Sequence, residues 1–222
     1  MPILADQVAA YLEELRPQRD PLMCEMEELA AKHGIPIVHW ETGRLLAVLA
    51  RSLGEGAHVL EVGTAIGYST LHMARALDKG GRVVTIERDA VRVEQARGYL
   101  ERAGVADHVE VIEGDALDVI IGLQGPFDLL FLDATKGEYA RYLELAESKA
   151  SEHALLAIDN VLMSGAVAFD DDADVPDEFG GWWAADQRRA VRALNSGLIG
   201  SERWLSVVLA VGDGVLLGAR KP

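Results

Sequence analysis

The chain opens on apolar residues at helical spacing and then shifts to short, nearly continuous apolar runs. Over residues 3–15, Leu4, Val8, Tyr11, Leu12 and Leu15 share one helical face, and Pro17 ends the pattern. Asp20 can cap a second helix that starts at Pro21, runs to Lys32 and stops at Gly34. A third helical pattern covers residues 41–53 and ends at Gly54. The period then changes. Residues 58–63, 82–87, 109–113, 127–133 and 154–160 read as strands covered on both faces, as in a parallel sheet. Helical stretches at 69–77, 90–103 and 138–150 lie between most of them.

The end of the chain departs from this alternation. Residues 182–195 read as a helix, followed by apolar runs at 203–211 and 215–220 around Gly212-Asp213-Gly214. An Asp-Gly between apolar runs signals a hairpin, so the sheet should finish with an antiparallel pair. Residues 170–181, DDDADVPDEFGG, are acidic and turn-rich and read as an exposed loop near the mouth of a site. The whole predicts an α/β fold: a doubly wound sheet of seven strands, mostly parallel, with right-handed crossovers. One domain is expected over residues 1–222, with 1–54 a helical cap and 55–222 the core.

Composition narrows the chemistry. Half the residues are hydrophobic, enough for a sizeable core, and with aromatics at 6% the packing must be mostly aliphatic. Lys and Arg number 21 against 36 Asp and Glu, a formal charge of −15. That charge repels phosphate backbones, so a nucleic-acid partner is disfavoured, and it suits a protein that holds a cation. The single cysteine, Cys24, cannot form an intramolecular disulfide, which fits a cytoplasmic protein, and reads as a small buried apolar residue. The first residues lack the basic start and long apolar run of a signal peptide. The apolar stretch 154–169 is too short for a bilayer and is broken by Asp159 and Asn160, so no membrane partner is expected.

Strand VLEVG runs into TAIGYST and a helix, with Gly63 and Gly67 bracketing the turn. Glycine lets backbone approach a ligand, and the helix N-terminus offers free N–H groups to an anion. The position two after Gly63 is Ala65, so the dinucleotide fingerprint G-x-G-x-x-G fails and a nicotinamide oxidoreductase is disfavoured. The form E-x-G-x-x-x-G, Glu61 to Gly67, suits an S-adenosylmethionine site instead. The second strand ends at Glu87, which can accept from both ribose hydroxyls, and the third runs into Gly114-Asp115-Ala116, where Asp115 can take an adenine amino group. Ligands of such sheets bind at these strand ends.

The fourth strand delivers Asp133, followed by Ala134-Thr135-Lys136, and the fifth delivers Asp159-Asn160. Neighbouring strands lie about 4.8 Å apart, so adjacency would bring Asp133, Asp159 and Asn160 to one point. Three oxygen ligands suit a hard cation, Mg²⁺, Mn²⁺ or Ca²⁺, and not zinc. Each Asp could equally cap the next helix. Beside a dication the charged form of Lys136 is disfavoured, which would let it act as a base. The six histidines are scattered; His39 and His72 could lie near the site, but all six read as structural or solvated.

VLEVGTAIGYST, TIERD, GDA, FLDATK and IDNVL, in this order, resemble the metal-dependent class I O-methyltransferases, the group of catechol and caffeoyl-CoA O-methyltransferases and their bacterial relatives. The resemblance runs from Gly34 to the C-terminus. It implies a Rossmann-like fold and a divalent-metal-dependent transfer from S-adenosylmethionine to a hydroxyl of a small catechol-like or phenolic acceptor. It also implies roles. Glu61, Gly63, Tyr68 and Ser69 would line the methionine end of the cofactor, Glu87 the ribose, and Asp115 with Ala116 the adenine. Val38 would be the N-terminal cofactor contact, and Asp133 would serve both cofactor and metal. Asp159 and Asn160 would complete the metal site, and Lys136 would be the base. Relatives of this type are commonly homodimers with N-terminal helices at the interface. Trp182 and Trp183 have no role in that pattern, Trp40 is expected near the cofactor entrance, and loop 170–181 looks longer than in the simplest members. Two alternatives stay open: methylation of hydroxylated uridine in transfer RNA, and a non-catalytic cofactor-binding dimer.

Overall fold

The computed structural model describes residues 6–18 and 20–222. Helix α1 (Asp6–Glu14) covers the described part of the first helical pattern, whose Leu4 lies outside the described residues. The described residues leave its apolar face uncovered: Val8, Tyr11 and, just beyond the helix, Leu15 are about half exposed. In α2 (Pro21–His33), Asp20 Oδ1 accepts from the N–H groups of Leu22 and Met23, and Gly34 ends the helix at φ +63°. Cys24 is only partly buried. Helix α3 (Trp40–Ser52) buries Leu46, Leu49 and Ala50.

The sheet then alternates with helices in chain order: β1 (His58–Val62), α4 (Tyr68–Ala76), β2 (Arg82–Glu87), α5 (Ala90–Arg102), β3 (Val109–Glu113), α6 (Ala116–Gly122), β4 (Phe127–Leu132), α7 (Tyr139–Glu147) and β5 (Ala150–Ile158). Helix α8 (Ala185–Ile199) and strands β6 (Trp204–Leu209) and β7 (Val215–Arg220) complete it. The strand order is β3-β2-β1-β4-β5-β7-β6, with β7 antiparallel to both β5 and β6. The doubly wound, seven-stranded sheet and its closing hairpin are as expected. Leu60, Val62, Leu130 and Ile158 pack on one face of the sheet, and Val59, Val83, Leu129 and Phe131 on the other.

The structure departs from the sequence reading in several places, and the helix read to 150 ends at Glu147. Helix α6 was not foreseen; its seven residues bury only Ala116 and Ile120, too few to display a period. Strand β5 starts at Ala150, not 154, because Ala150 pairs with Phe127 across a register shift while Ser151, Glu152 and His153 carry no apolar signal. Helix α8 starts at Ala185, not 182, with Gln187 Oε1 accepting from Ala184 N–H at 3.4 Å. Loop 170–181 is anchored, not simply exposed. Val175 and Gly180 are buried, Phe169 and Phe179 stack at 5.4 Å, and Arg188 donates to the carbonyl of Asp171 at 3.1 Å.

Candidate functional site

The carboxyl ends of β1, β2, β3, β4 and β5 open on one cavity of about 530 Å³. Gly63, leaving β1, has φ +103°, and a Cβ there would stand 2.1 Å from the carbonyl oxygen of Asp133. Glycine is therefore required where β1 and β4 converge. The turn that follows delivers Tyr68 and Ser69, at the N-terminus of α4, to the cavity wall. Val38, Gly63, Glu87, Asp115, Ala116, Asp133, Lys136, Asp159 and Asn160 line the same cavity, so the chain brings nearly all the expected residues together.

Glu61 is the exception. Its side chain is fully buried and does not line the cavity. Side chains alternate along a strand, so Glu61 shares the face of Val59 and points under α4. There it accepts from the hydroxyls of Ser69 and Thr70. Burial lifts its carboxyl from 4.5 to about 7, with the hydroxyls of Ser69, Thr70 and Thr85 opposing the rise. Glu61 supports the wall from behind.

Glu87 accepts from the N–H groups of Ala65 at 2.9 Å and of Arg88 and Asp89 at 3.0 Å, which fixes its carboxylate at the mouth of β2. Asp115 caps α6 through Oδ1, taking the N–H of Leu117 at 2.9 Å, and also lines the cavity. Capping and ligand contact are compatible, because the carboxylate has a second oxygen.

At the other end, Asp133 follows β4 and Asp159 follows β5. Asp159 is 1% exposed, and its Oδ1 is buried with no hydrogen-bond partner among the described residues. Burial raises its carboxyl well above the usual range; the Asp133 charge adds to this and Lys136 opposes it. Asn160 carries φ +56°, a conformation that Asn tolerates better than most residues. Its Nδ2 donates to Asp213 Oδ2 at 3.3 Å, which leaves the amide oxygen for another partner. Among the described residues no three His, Cys, Asp or Glu side chains form a metal-binding group, so any cation site rests on two carboxylates and one amide. Hard oxygen donors, one of them a buried orphan, fit a divalent cation such as Mg²⁺.

Lys136 extends into this cluster from a short 3₁₀ turn (Lys136–Glu138). Its Nζ donates to Asp133 Oδ1 at 2.8 Å and to Tyr139 Oη at 2.7 Å. Tyr139, buried, donates in turn to the carbonyl of Asp159 at 3.1 Å.

Two participants escaped the sequence reading. Tyr139 lies three residues beyond Lys136, one helical turn away, and that spacing could have flagged it. Asp213, buried in the β6–β7 turn, accepts from Asn160 and from the N–H of Ser164, and burial raises its carboxyl. The Asp-Gly signal announced a hairpin and concealed this contact across 53 residues.

The tryptophans separate. Trp183 lines the cavity beside Gln187, and its indole N–H is buried without a partner among the described residues. Trp182 is exposed. Trp40 does not reach the cavity; its Nε1 donates to Glu13 at 2.9 Å, and it lines a second hollow of about 280 Å³ with Arg16, Tyr68 and His72. His72 packs against Gly43, and burial lowers its pKa to about 4, with Arg44 adding to the shift. His39 is exposed and faces Asp213. Neither histidine lines the first cavity.

Comparison with known proteins places this arrangement. The family model described as O-methyltransferase matches residues 13–221. A catechol O-methyltransferase of Mycobacterium tuberculosis is 39% identical over 171 residues, 75% of this chain and 77% of that protein. Caffeoyl-CoA O-methyltransferase 1 of Zea mays is 31% identical over 92% of this chain and 80% of its own length. Among solved structures, an O-methyltransferase from Bacillus cereus in complex with SAH superposes with a TM-score of 0.81 at 29% identity, over 97% of each chain. A methyltransferase from Geobacter sulfurreducens gives 0.81 at 33% identity, over 100% of this chain and 99% of that one.

Proposed function

The chain belongs to the O-methyltransferase family, and on that premise we propose that it transfers a methyl group from S-adenosylmethionine to a hydroxyl of a small catechol-like acceptor with the help of a divalent cation. The observation that carries the metal assignment is Asp159 Oδ1, a buried carboxylate oxygen without a partner among the described residues, beside Asp133 and Asn160 at the end of the same cavity.

S-adenosylmethionine supplies an electrophilic methyl with a thioether leaving group, and a divalent cation supplies Lewis acidity that makes an acceptor hydroxyl easier to deprotonate. The rest belongs to the chain. Ser69 and the N-terminus of α4, braced by Glu61, meet the methionine end, with Gly63, Tyr68 and Val38 around it. Glu87 meets the ribose, and Asp115 with Ala116 the adenine. Asp133, Asp159 and Asn160 are the residues that would hold the cation, Mg²⁺ or in its place Mn²⁺ or Ca²⁺. Lys136, oriented by Asp133 and Tyr139, is the group that takes the acceptor's proton. Bringing hydroxyl and methyl into line within this cavity is the protein's main contribution.

The relatives named for catechol support a small aromatic acceptor. The formal charge of −15 weighs against the transfer RNA alternative, and the joint presence of Asp133, Lys136, Asp159 and Asn160 against a binding-only role. We further read the chain as one cytoplasmic domain that forms a homodimer. The uncovered apolar face of α1, with Val8, Tyr11 and Leu15, supports the dimer.

S-adenosylhomocysteine formation from a panel of catechols, run with Mg²⁺ and with EDTA, tests the reading. Turnover that EDTA abolishes is expected; turnover that EDTA leaves intact would remove the metal from the proposal.

A further inference from the structure

Given the methyl-transfer reading, on which this rests, we infer that the acceptor end of the cavity selects acceptors with a cationic or neutral tail over those carrying a carboxylate or phosphate. Two independent features of the cavity converge on this, the placement of its cations and the placement of loop 170–181.

The cations are in the wrong place for an anionic tail. Arg88 and Arg92 line the cavity beyond β2, whereas Asp159, Asn160, Trp183 and Gln187 line it beyond β5. With the order β2-β1-β4-β5, these ends are three strand spacings apart, about 14 Å. Lys136 is already engaged by Asp133 and Tyr139. On α8, Arg188 is buried and donates to the carbonyls of Asp171 and Ala173, and Arg192 to those of Val167 and Phe169. Arg189 stands two residues from Gln187, about 200° round the helix, and is exposed. His39 faces Asp213, a buried carboxylate. Among the described residues, then, no uncommitted cation borders the acceptor end.

The loop adds the opposite sign. Asp170, Asp171, Asp172, Asp174, Asp177 and Glu178 fall within nine consecutive residues. None of the five aspartate side chains forms an ion pair among the described residues, because the neighbouring arginines bond backbone carbonyls. The end of the loop abuts one wall residue of the acceptor end, Trp183. A Cβ on Gly180 would stand 2.5 Å from the carbonyl of Met163 and 2.8 Å from Trp183 Cδ1, and Gly165 packs against Phe179. Met163 and Gly165 belong to the segment that leaves Asn160, and Trp183 is cavity wall.

Five unit charges acting across on the order of 10 Å of solvent, screened by physiological salt, would change the affinity of a unit charge about threefold, so matched cationic and anionic tails should differ roughly tenfold. An acceptor joined to a polyanionic nucleotide is disfavoured further.

The experiment uses three catechols with side chains of equal length ending in ammonium, hydroxyl or carboxylate. Turnover and calorimetric binding of each are measured with Mg²⁺, at about 20 mM and about 500 mM NaCl, where screening lengths differ several-fold. Wild type is compared with the triple variant Asp170→Asn, Asp172→Asn, Asp174→Asn, whose changed side chains are exposed. The expected order of kcat/KM is ammonium, hydroxyl, carboxylate, with a spread above about tenfold at the lower salt that shrinks at high salt and in the variant. Preference for the carboxylate, equal use of all three, or a spread that ignores both salt and variant would overturn the inference while leaving methyl transfer standing. The expected order in binding with no turnover on any compound would uphold the charge selection and sink the methyl-transfer reading instead.

Discussion

Asp159→Asn should stabilise the metal-free protein and destroy its function. The native carboxylate is 1% exposed, lies near the like charge of Asp133, and has one oxygen without a partner among the described residues. Asparagine has nearly the same shape and keeps an oxygen for the N–H of Asn160, but it removes the buried charge. An unsatisfied buried charged group costs about 1–3 kcal/mol or more. In EDTA the variant should therefore exceed wild type by about 1–2 kcal/mol, a rise in Tm of roughly 3–6 °C for a chain of this size. With Mg²⁺ at about 100 times its dissociation constant, wild type gains about 2.7 kcal/mol by mass action and the variant gains little. The order of stabilities should therefore reverse on adding the cation. Thermal unfolding in EDTA and in Mg²⁺ reads this directly, and S-adenosylhomocysteine titration checks that cofactor binding is retained. Methyl transfer should fall at least ~100-fold, on the scale expected when a positioned electrostatic group is lost. A variant less stable than wild type in EDTA, or one stabilised by Mg²⁺ as much as wild type, would refute the view that Asp159 is held in a strained state for a cation.

Lys136→Ala should retain cofactor binding and lose about 10²–10⁴-fold in kcat, which single-turnover kinetics would measure. Gly63→Ala, with φ +103° and a clash at 2.1 Å against Asp133, should cost at least ~3 kcal/mol in denaturant unfolding or leave no folded protein. Glu61 has a folded pKa raised from 4.5 to about 7, so the folded protein keeps a proton that the unfolded chain has released. Its stabilising effect is therefore full below pH 4.5 and is lost as pH rises through 7, a change of about 3 kcal/mol. Glu61→Gln should flatten that fall in a urea-midpoint series across pH. His72 runs the other way. Its pKa is lowered to about 4, so its contribution is present above the unfolded value of 6.5 and is lost as pH falls towards 4. The Glu61→Gln series should therefore show stability rising with pH between 4 and 6.5.

Much of this molecule was legible in the chain because its signals are local. Asp20, Pro21 and Gly34 bound α2 through contacts two to five residues long. Continuous apolar strands separated by helices allow few topologies, and the right-handed crossover rule leaves the doubly wound one. Ligands bind at the carboxyl ends of such strands, so Glu87, Asp115, Asp133, Asp159 and Asn160 could be nominated from position alone. Helix α6 and the start of β5 were hidden for the opposite reason. One is too short to show a period, and the other begins with polar residues that only pairing makes a strand.

What the tertiary structure decided is direction and depth. Strand alternation turns Glu61 away from the cavity and under α4, although its place at the end of β1 suggested a contact. Packing leaves Trp40 with Glu13 and brings Trp183 to the cavity, a choice that no spacing of tryptophans encodes. Asp213 meets Asn160 only because β7 lies antiparallel beside β5, which carries the hairpin turn back to the end of that strand. The sequence alone determined which residue types stand at the strand ends. Which of them face a common space, and which remain unpaired in it, follows from burial and long-range pairing that no local window contains.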